Sequence, residues 1–181
     1  EVTLEAYILM ERFKDYWGHF NANAPDQFKM IGTSAAATVK TMISNGQLDI
    51  TDRWQSTEAL DAMSKLPGIT IVTIPTSAEF YLMMNTRKPP TDDLNFRAAV
   101  TYAFDYQTVT KNIWPSYHQA AGPVPTALPG HDPNAVQYTR DLAKATDFLK
   151  KSKYYGQLDK YPIIYHWIAE VPDEEKVALL F

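Results

Sequence analysis

The stretch "NTRKPPTDDLNFRAAVTYAFDYQTV", residues 85–109, decides the fold. It opens with an asparagine, a basic pair and a double proline, none of which continues a helix. Each proline forces its predecessor into an extended conformation. Asp92-Asp93 follows, and either is a good N-cap, with the second carboxylate favouring the positive end of a helix. Phe96, Ala99, Val100 and Ala103 then recur at helical spacing as an apolar face. Asp105 can cap a further helix running to about Trp114, with Val109 and Ile113 inward, and Pro115 ends it. An extended segment, a stiff proline turn and a freshly capped helix read as a chain crossing from one structural unit into another.

Working outward, residues 3–13 read as one strand, followed by an Asp15-Tyr16-Trp17-Gly18 turn whose aromatics cover the edge of a core. Phe28–Ile31 is a second strand. Thr33 or Ser34 can cap a helix to Ser44, stopped by Asn45-Gly46. Residues 47–50 make a short strand, and a helix from Thr57 places Leu60, Met63 and Leu66 on one side until Pro67-Gly68. The β-branched run 69–74 and the segment 79–84 read as strands. Beyond Pro115, residues 120–134 form an ordered loop rich in proline. Thr139 or Asp141 caps a helix to about Lys151 that buries Leu142, Ala145, Phe148 and Leu149. Residues 162–168 are a strand, and Asp173 caps a last helix. Strands and helices alternate, so the class is α/β. The apolar helical face at residues 177–181 has no stop signal, and the chain is expected to be an internal piece of a longer protein.

Composition narrows the function. Of 181 residues, 45% are hydrophobic and 13% aromatic, enough for a packed core. The net charge of −4 is dispersed, unlike the basic stripe of a nucleic-acid binder. There is no cysteine, which removes disulfides, thiolate metal sites and cysteine nucleophiles. No apolar run approaches the roughly 20 residues needed to span a bilayer as a helix, and Glu1–Leu4 has no signal-peptide pattern.

The four histidines, His19, His118, His131 and His166, have no zinc-ligand spacing. His131-Asp132 is a weak metal candidate that a turn-capping aspartate explains better. Nucleophile-elbow, phosphate-loop and dinucleotide fingerprints are absent. Asp92-Asp93 is no acid–base pair, because neighbours on a helix start do not face each other. Arg97 can pair with Asp93 at i, i+4, with a functional role as the alternative. No catalytic constellation, metal site or cofactor site is expected. Trp54 sits in the polar loop "TDRWQST" after a strand end, and Tyr81 on a strand beside the crossover; each is either core packing or a ligand contact.

The residues also resemble a known family. The motifs are "FKDYWG" at 13–18, "GQLDI" at 46–50, "LPGITIV" at 66–72 and "FYLMMN" at 80–85. They continue with "KPPTDDLNFRAAVTYAFD" at 88–105, "GPVP" at 122–125, "PGH" at 129–131 and Y-x-x-D-x-x-K-A-x-x-F-L at 138–149. In this order they are similar to the extracellular solute-binding proteins of family 5, over roughly residues 7–152. Departures are Leu142 where the family often has proline, Ser152–Tyr155 before Gly156, and Tyr106 where a basic residue is common.

The resemblance implies a two-lobed, periplasmic-binding-protein-like type II architecture. Residues 1–78 would belong to the first lobe, 79–91 to the crossover or hinge and 92–181 to the second lobe. It implies a non-enzymatic solute-binding component of an ABC importer that captures a peptide between lobes and delivers it to a membrane permease. The alternatives are a sensory protein or a binder of another solute, such as an oligosaccharide or nickel chelate. The location would be periplasmic or extracellular, held at the membrane by an anchor of the parent chain. Tyr81, Glu79 and Ser77 on the crossover strand, with Trp54, are the expected ligand contacts. Only Tyr81 lies inside a matched motif.

Overall fold

The computed structural model describes all residues except 1, 4–6, 34 and 75. The chain begins with a three-stranded antiparallel sheet of order β1-β2-β3, with β1 at Val2–Thr3, β2 at Tyr7–Glu11 and β3 at Gln27–Ile31. Val2 pairs with Ile8 and Tyr7 with Ile31. The expected single strand over 3–13 is therefore two paired strands, and their connection lies outside the described residues. Arg12 fixes the long β2–β3 connection. Its guanidinium donates to the Ala24 carbonyl, pairs with Asp26 at 3.3 Å and lies over the Phe20 ring at 5.0 Å.

The "DYWG" turn corrects one expectation. Tyr16 packs on Phe20 at 4.8 Å, but Trp17 is 90% exposed and covers no core edge. The Tyr16 ring folds back over Gly18, where any Cβ would come within 2.7 Å of it. The Trp17 ring lies 5.3 Å from the Tyr16 ring, on the solvent side.

Helix α1 spans Ala36–Ser44 and α2 Thr57–Ser64. They pack on each other through Val39, Ile43 and Met63, all buried. Ala35 stands at the α1 N-cap position without a side-chain bond, so Thr33 does not cap this helix; Ser34 lies outside the described residues. Ser56 caps α2 by accepting from the Ala59 amide at 3.2 Å.

Past the crossover, α3 covers Leu94–Ala103 and α5 covers Leu142–Lys151, and these two make the most extensive helix contact among the described residues. Asp93, rather than Asp92, caps α3 by accepting from the Phe96 amide at 2.8 Å. Asp141 caps α5 through the Lys144 amide at 2.9 Å. Phe96, Ala99 and Ala145 are buried between them, and Phe148 stacks on Tyr102 at 5.7 Å. Leu142, expected inside, is 57% exposed: it is the first residue of α5, and burial on this helix begins a turn later, at Ala145. Between them α4, Tyr106–Thr108, is capped by Asp105 and continues as a π-helical turn, Val109–Ile113. Trp114 closes that turn by donating to the Val109 carbonyl at 2.7 Å. A final helix, α6, spans Pro172–Ala178 and packs on the π turn.

Four expected strands, 47–50, 69–74, 79–84 and 162–168, are not paired strands among the described residues. The chain is irregular or extended there, with Val72 and Ile74 each 70% exposed and Ile164 74% exposed. Apolar and β-branched residues favour an extended backbone, but a strand exists only where a neighbouring backbone completes the ladder.

Candidate functional site between residues 33–55 and 168–174

The crossover is anchored to α3 by polar contacts. The Arg97 guanidinium donates to the Thr91 carbonyl at 2.9 Å, and the Thr91 hydroxyl donates to the Asn85 carbonyl at 2.7 Å. Arg97 thus ties the helix to the crossover backbone instead of pairing with Asp93. Asp92 serves a different partner. It receives the Lys153 ammonium at 2.9 Å and the Tyr154 hydroxyl at 2.7 Å, holding the segment after α5 against the start of α3. These donors, Lys153 first, keep the Asp92 carboxyl below the usual aspartate value.

A groove of about 260 Å³ lies where chain from both sides of the crossover meets. One wall is made by Thr33, Ala36, Val39, Asp52, Trp54 and Gln55. The other is made by Ile168, Glu170, Val171, Pro172 and Glu174. The Trp54 loop is set by Asp52, whose carboxylate accepts from the Trp54 amide at 3.1 Å and the Gln55 side-chain amide at 3.2 Å. Arg53 stacks on the Trp54 ring at 4.1 Å, yet the indole remains 38% exposed. The opposite wall is closed by Glu174, which is 7% exposed and accepts from the Ile168 amide at 2.7 Å. Gln55 Oε1 is shut off from solvent and has no hydrogen-bond partner. The groove thus offers an aromatic face, an apolar floor and carboxylates, an arrangement that can hold a small solute by apolar contact and hydrogen bonding.

Behind the groove, α6 is tied to α2. Asp173 was expected to cap its own helix. Its Oδ2 instead accepts from the Thr57 amide at 3.1 Å, the first amide of α2, and lies 3.3 Å from the Thr57 hydroxyl. Lys176 reaches Asp173 at 2.7 Å and Glu58 at 2.6 Å. Partial burial works to lower the Lys176 pKa, but the bonds to Asp173 and Glu58 outweigh it and hold the ammonium above the usual lysine value. Lys176 in turn is the main cause of the lowered Glu58 carboxyl.

Of the expected contacts, Trp54 lines the groove, whereas Ser77, Glu79 and Tyr81 are not among its lining residues. Ser77 is exposed, Tyr81 is 66% exposed, and Glu79 is half-buried with Oε1 unpartnered. Phe80, between them, packs edge-on against Trp114 at 4.6 Å. Asp52, Gln55, Ile168 and Glu174 were not anticipated. Only Asp52 carried a local signal, as an aspartate two residues before Trp54 able to form a side-chain turn. At the other weak candidate, His131 Nδ1 lies 2.8 Å from the Val124 carbonyl, and Asp132 caps the turn through the Asn134 amide at 2.9 Å. Among the described residues, no group of three or more His, Asp or Glu is placed to hold a metal, and no helix is long and apolar enough to cross a membrane.

The whole chain, residues 1–181, matches the family described as bacterial extracellular solute-binding proteins, family 5 Middle. The chain belongs to that family. A similar relative is the probable D,D-dipeptide-binding periplasmic protein DdpA of Escherichia coli (strain K12), 30% identical over 132 residues, covering 70% of this chain and 25% of that protein. Another is the oligopeptide-binding protein OppA of Bacillus subtilis (strain 168), 29% identical over 98 residues, covering 52% of this chain and 18% of that protein. Among solved structures, the periplasmic binding protein DppA from Helicobacter pylori, in complex with the peptide STSA, superposes with a TM-score of 0.69 at 22% identity. The match covers 86% of this chain and 30% of that one. The fold is therefore part of the type II periplasmic-binding-protein architecture, and the chain spans less than a third of the length of these relatives.

Proposed function

We propose that this family 5 chain is part of a peptide-binding component of an ABC importer. It would hold the peptide between two lobes and hand it to a membrane permease without chemical conversion. The observation that carries the reading is the Trp54 groove, whose two walls come from opposite sides of the crossover. In the proposed division, residues 1–78 belong to the first lobe, 79–91 to the hinge and 92–181 to the second lobe. The groove then opens on the cleft between lobes. Trp54 supplies broad apolar contact at low entropic cost. Tyr81, Glu79 and Ser77 on the crossover are further proposed contacts. The relatives named for dipeptides and oligopeptides support peptide as the solute class, and a periplasmic or extracellular location with it.

The unpaired segments 69–74, 79–84 and 162–168 fit the same reading, as strands completed by the rest of a longer parent chain. Closure on ligand is a population shift limited by the ligand's differential affinity for the closed form. The test is native against denaturing mass spectrometry of the gently purified full-length protein. Peptides released on denaturation are expected. Release of a sugar or a metal chelate would replace the solute class.

A further inference from the structure

We infer that Asp173 is a positioning residue for capture: with Thr57, Glu58 and Lys176 it forms a latch that joins the two walls of the groove from behind. This rests on the two-lobe reading above. The partners lie 116 to 118 residues apart, on opposite sides of the crossover. Asp173 is 2% exposed, and its carboxylate is held from both segments: Oδ2 accepts from the Thr57 amide of α2 at 3.1 Å, and Oδ1 is ion-paired with the Lys176 ammonium of α6 at 2.7 Å. The Thr57 hydroxyl adds a second tie, donating to the Ile113 carbonyl at 2.5 Å. Lys176 completes the network on both oxygens of Glu58, at 2.7 and 2.6 Å.

The position gives this network its role. Pro172 and Glu174, flanking Asp173, line one wall, and Gln55, two residues before Thr57, lines the other. Moving the walls apart must break the amide, hydroxyl and ammonium contacts together. It would leave a buried carboxylate without its partner from α2, which is costly. The Thr57 amide is also an otherwise unsatisfied donor at the positive end of α2, so the carboxylate there is favoured twice. The latch therefore sets the width of the groove and the residence time of whatever occupies it. Glu58 is on the exposed rim and contributes the weaker arm.

The absence of cysteine from residues 1–181 makes the test clean. Spin labels are placed on cysteines at the exposed Lys40 in α1 and Lys150 in α5 of the full-length protein, with any cysteines elsewhere replaced. Pulsed dipolar spectroscopy then reads the distance between segments with no peptide added. One main distance, set by the intact network, is expected for the ligand-free parent. In Asp173→Ala a longer population grows at its expense. Asp173→Asn, which keeps an acceptor for the Thr57 amide, falls between the two. A merely structural role would lower thermal stability without separating the Asn and Ala variants in distance. Should Asp173→Ala fail to fold, the double variant Thr57→Val with Glu58→Ala removes the hydroxyl and ammonium ties, leaves the amide one, and is expected to show a smaller longer population. An unchanged distribution in the folded variants would overturn the latch. A shifted distribution in a protein that binds no peptide would keep the latch and remove the peptide reading. An unchanged one in a protein that does bind peptide would do the reverse.

Discussion

Replacing Asp93 tests whether α3 begins where the structure begins it. The Asp93 carboxylate accepts from the Phe96 amide at 2.8 Å and satisfies one of the donors that the first turn leaves open. Loss of such a cap typically costs about 1 kcal/mol, whereas asparagine caps nearly as well as aspartate. Asp93→Ala should therefore destabilise α3 locally by about 1 kcal/mol, and Asp93→Asn by a few tenths. In native-state hydrogen exchange of the full-length protein, about 1 kcal/mol becomes roughly five-fold faster exchange of the 94–103 amides that open by local unfolding. Arg97 remains bound to the Thr91 carbonyl in both variants, so the register of the helix is kept and the effect stays local. Equal acceleration by Asn and Ala would mean that the charge, and not the cap, is what matters. No acceleration by either would mean that α3 does not start at Leu94.

Two further perturbations probe the second half of the chain. Asp92 is held below the ordinary aspartate value of 3.8, first by Lys153 and then by Tyr154. Its contribution to stability is therefore present above that value and lost as pH falls through the depressed one. Replacing Lys153 by methionine should move the Asp92 carboxyl, followed by carbon NMR, upward toward 3.8, and an unmoved titration would refute the pair. Gly122 adopts φ +75°, and a Cβ there would meet the Ala135 Cβ at 2.6 Å. Gly122→Ala should cost at least the roughly 1–2 kcal/mol of a left-handed non-glycine residue, read as faster proteolysis within 119–137. Unchanged cleavage would show that the loop is not held as described.

The capped helices were the most legible part of the sequence. Asp93, Asp105 and Asp141 each accept from the amide three residues on, a relation that needs only local chemistry. The strands were legible as extended chain but not as sheet, because pairing depends on backbone that the local pattern of residues 69–74 or 162–168 does not contain. Asp173 shows the same limit for a polar group. A carboxylate next to a helix start reads as that helix's cap, and nothing nearby announces that Thr57, 116 residues away, competes for it. Trp54 was visible as an aromatic in a polar loop, whereas the wall opposite it, Ile168 to Glu174, emerged only when the two segments came together.

The most direct measurement of the central claim is a hydrogen-exchange footprint of the full-length protein with and without saturating short peptide, in the parent and in Trp54→Ala. Slower exchange is predicted in both walls, residues 33–55 and 168–174, with affinity weakened about ten-fold or more by loss of an aromatic anchor. Peptide that binds equally well without Trp54, and protects neither wall, would contradict the account.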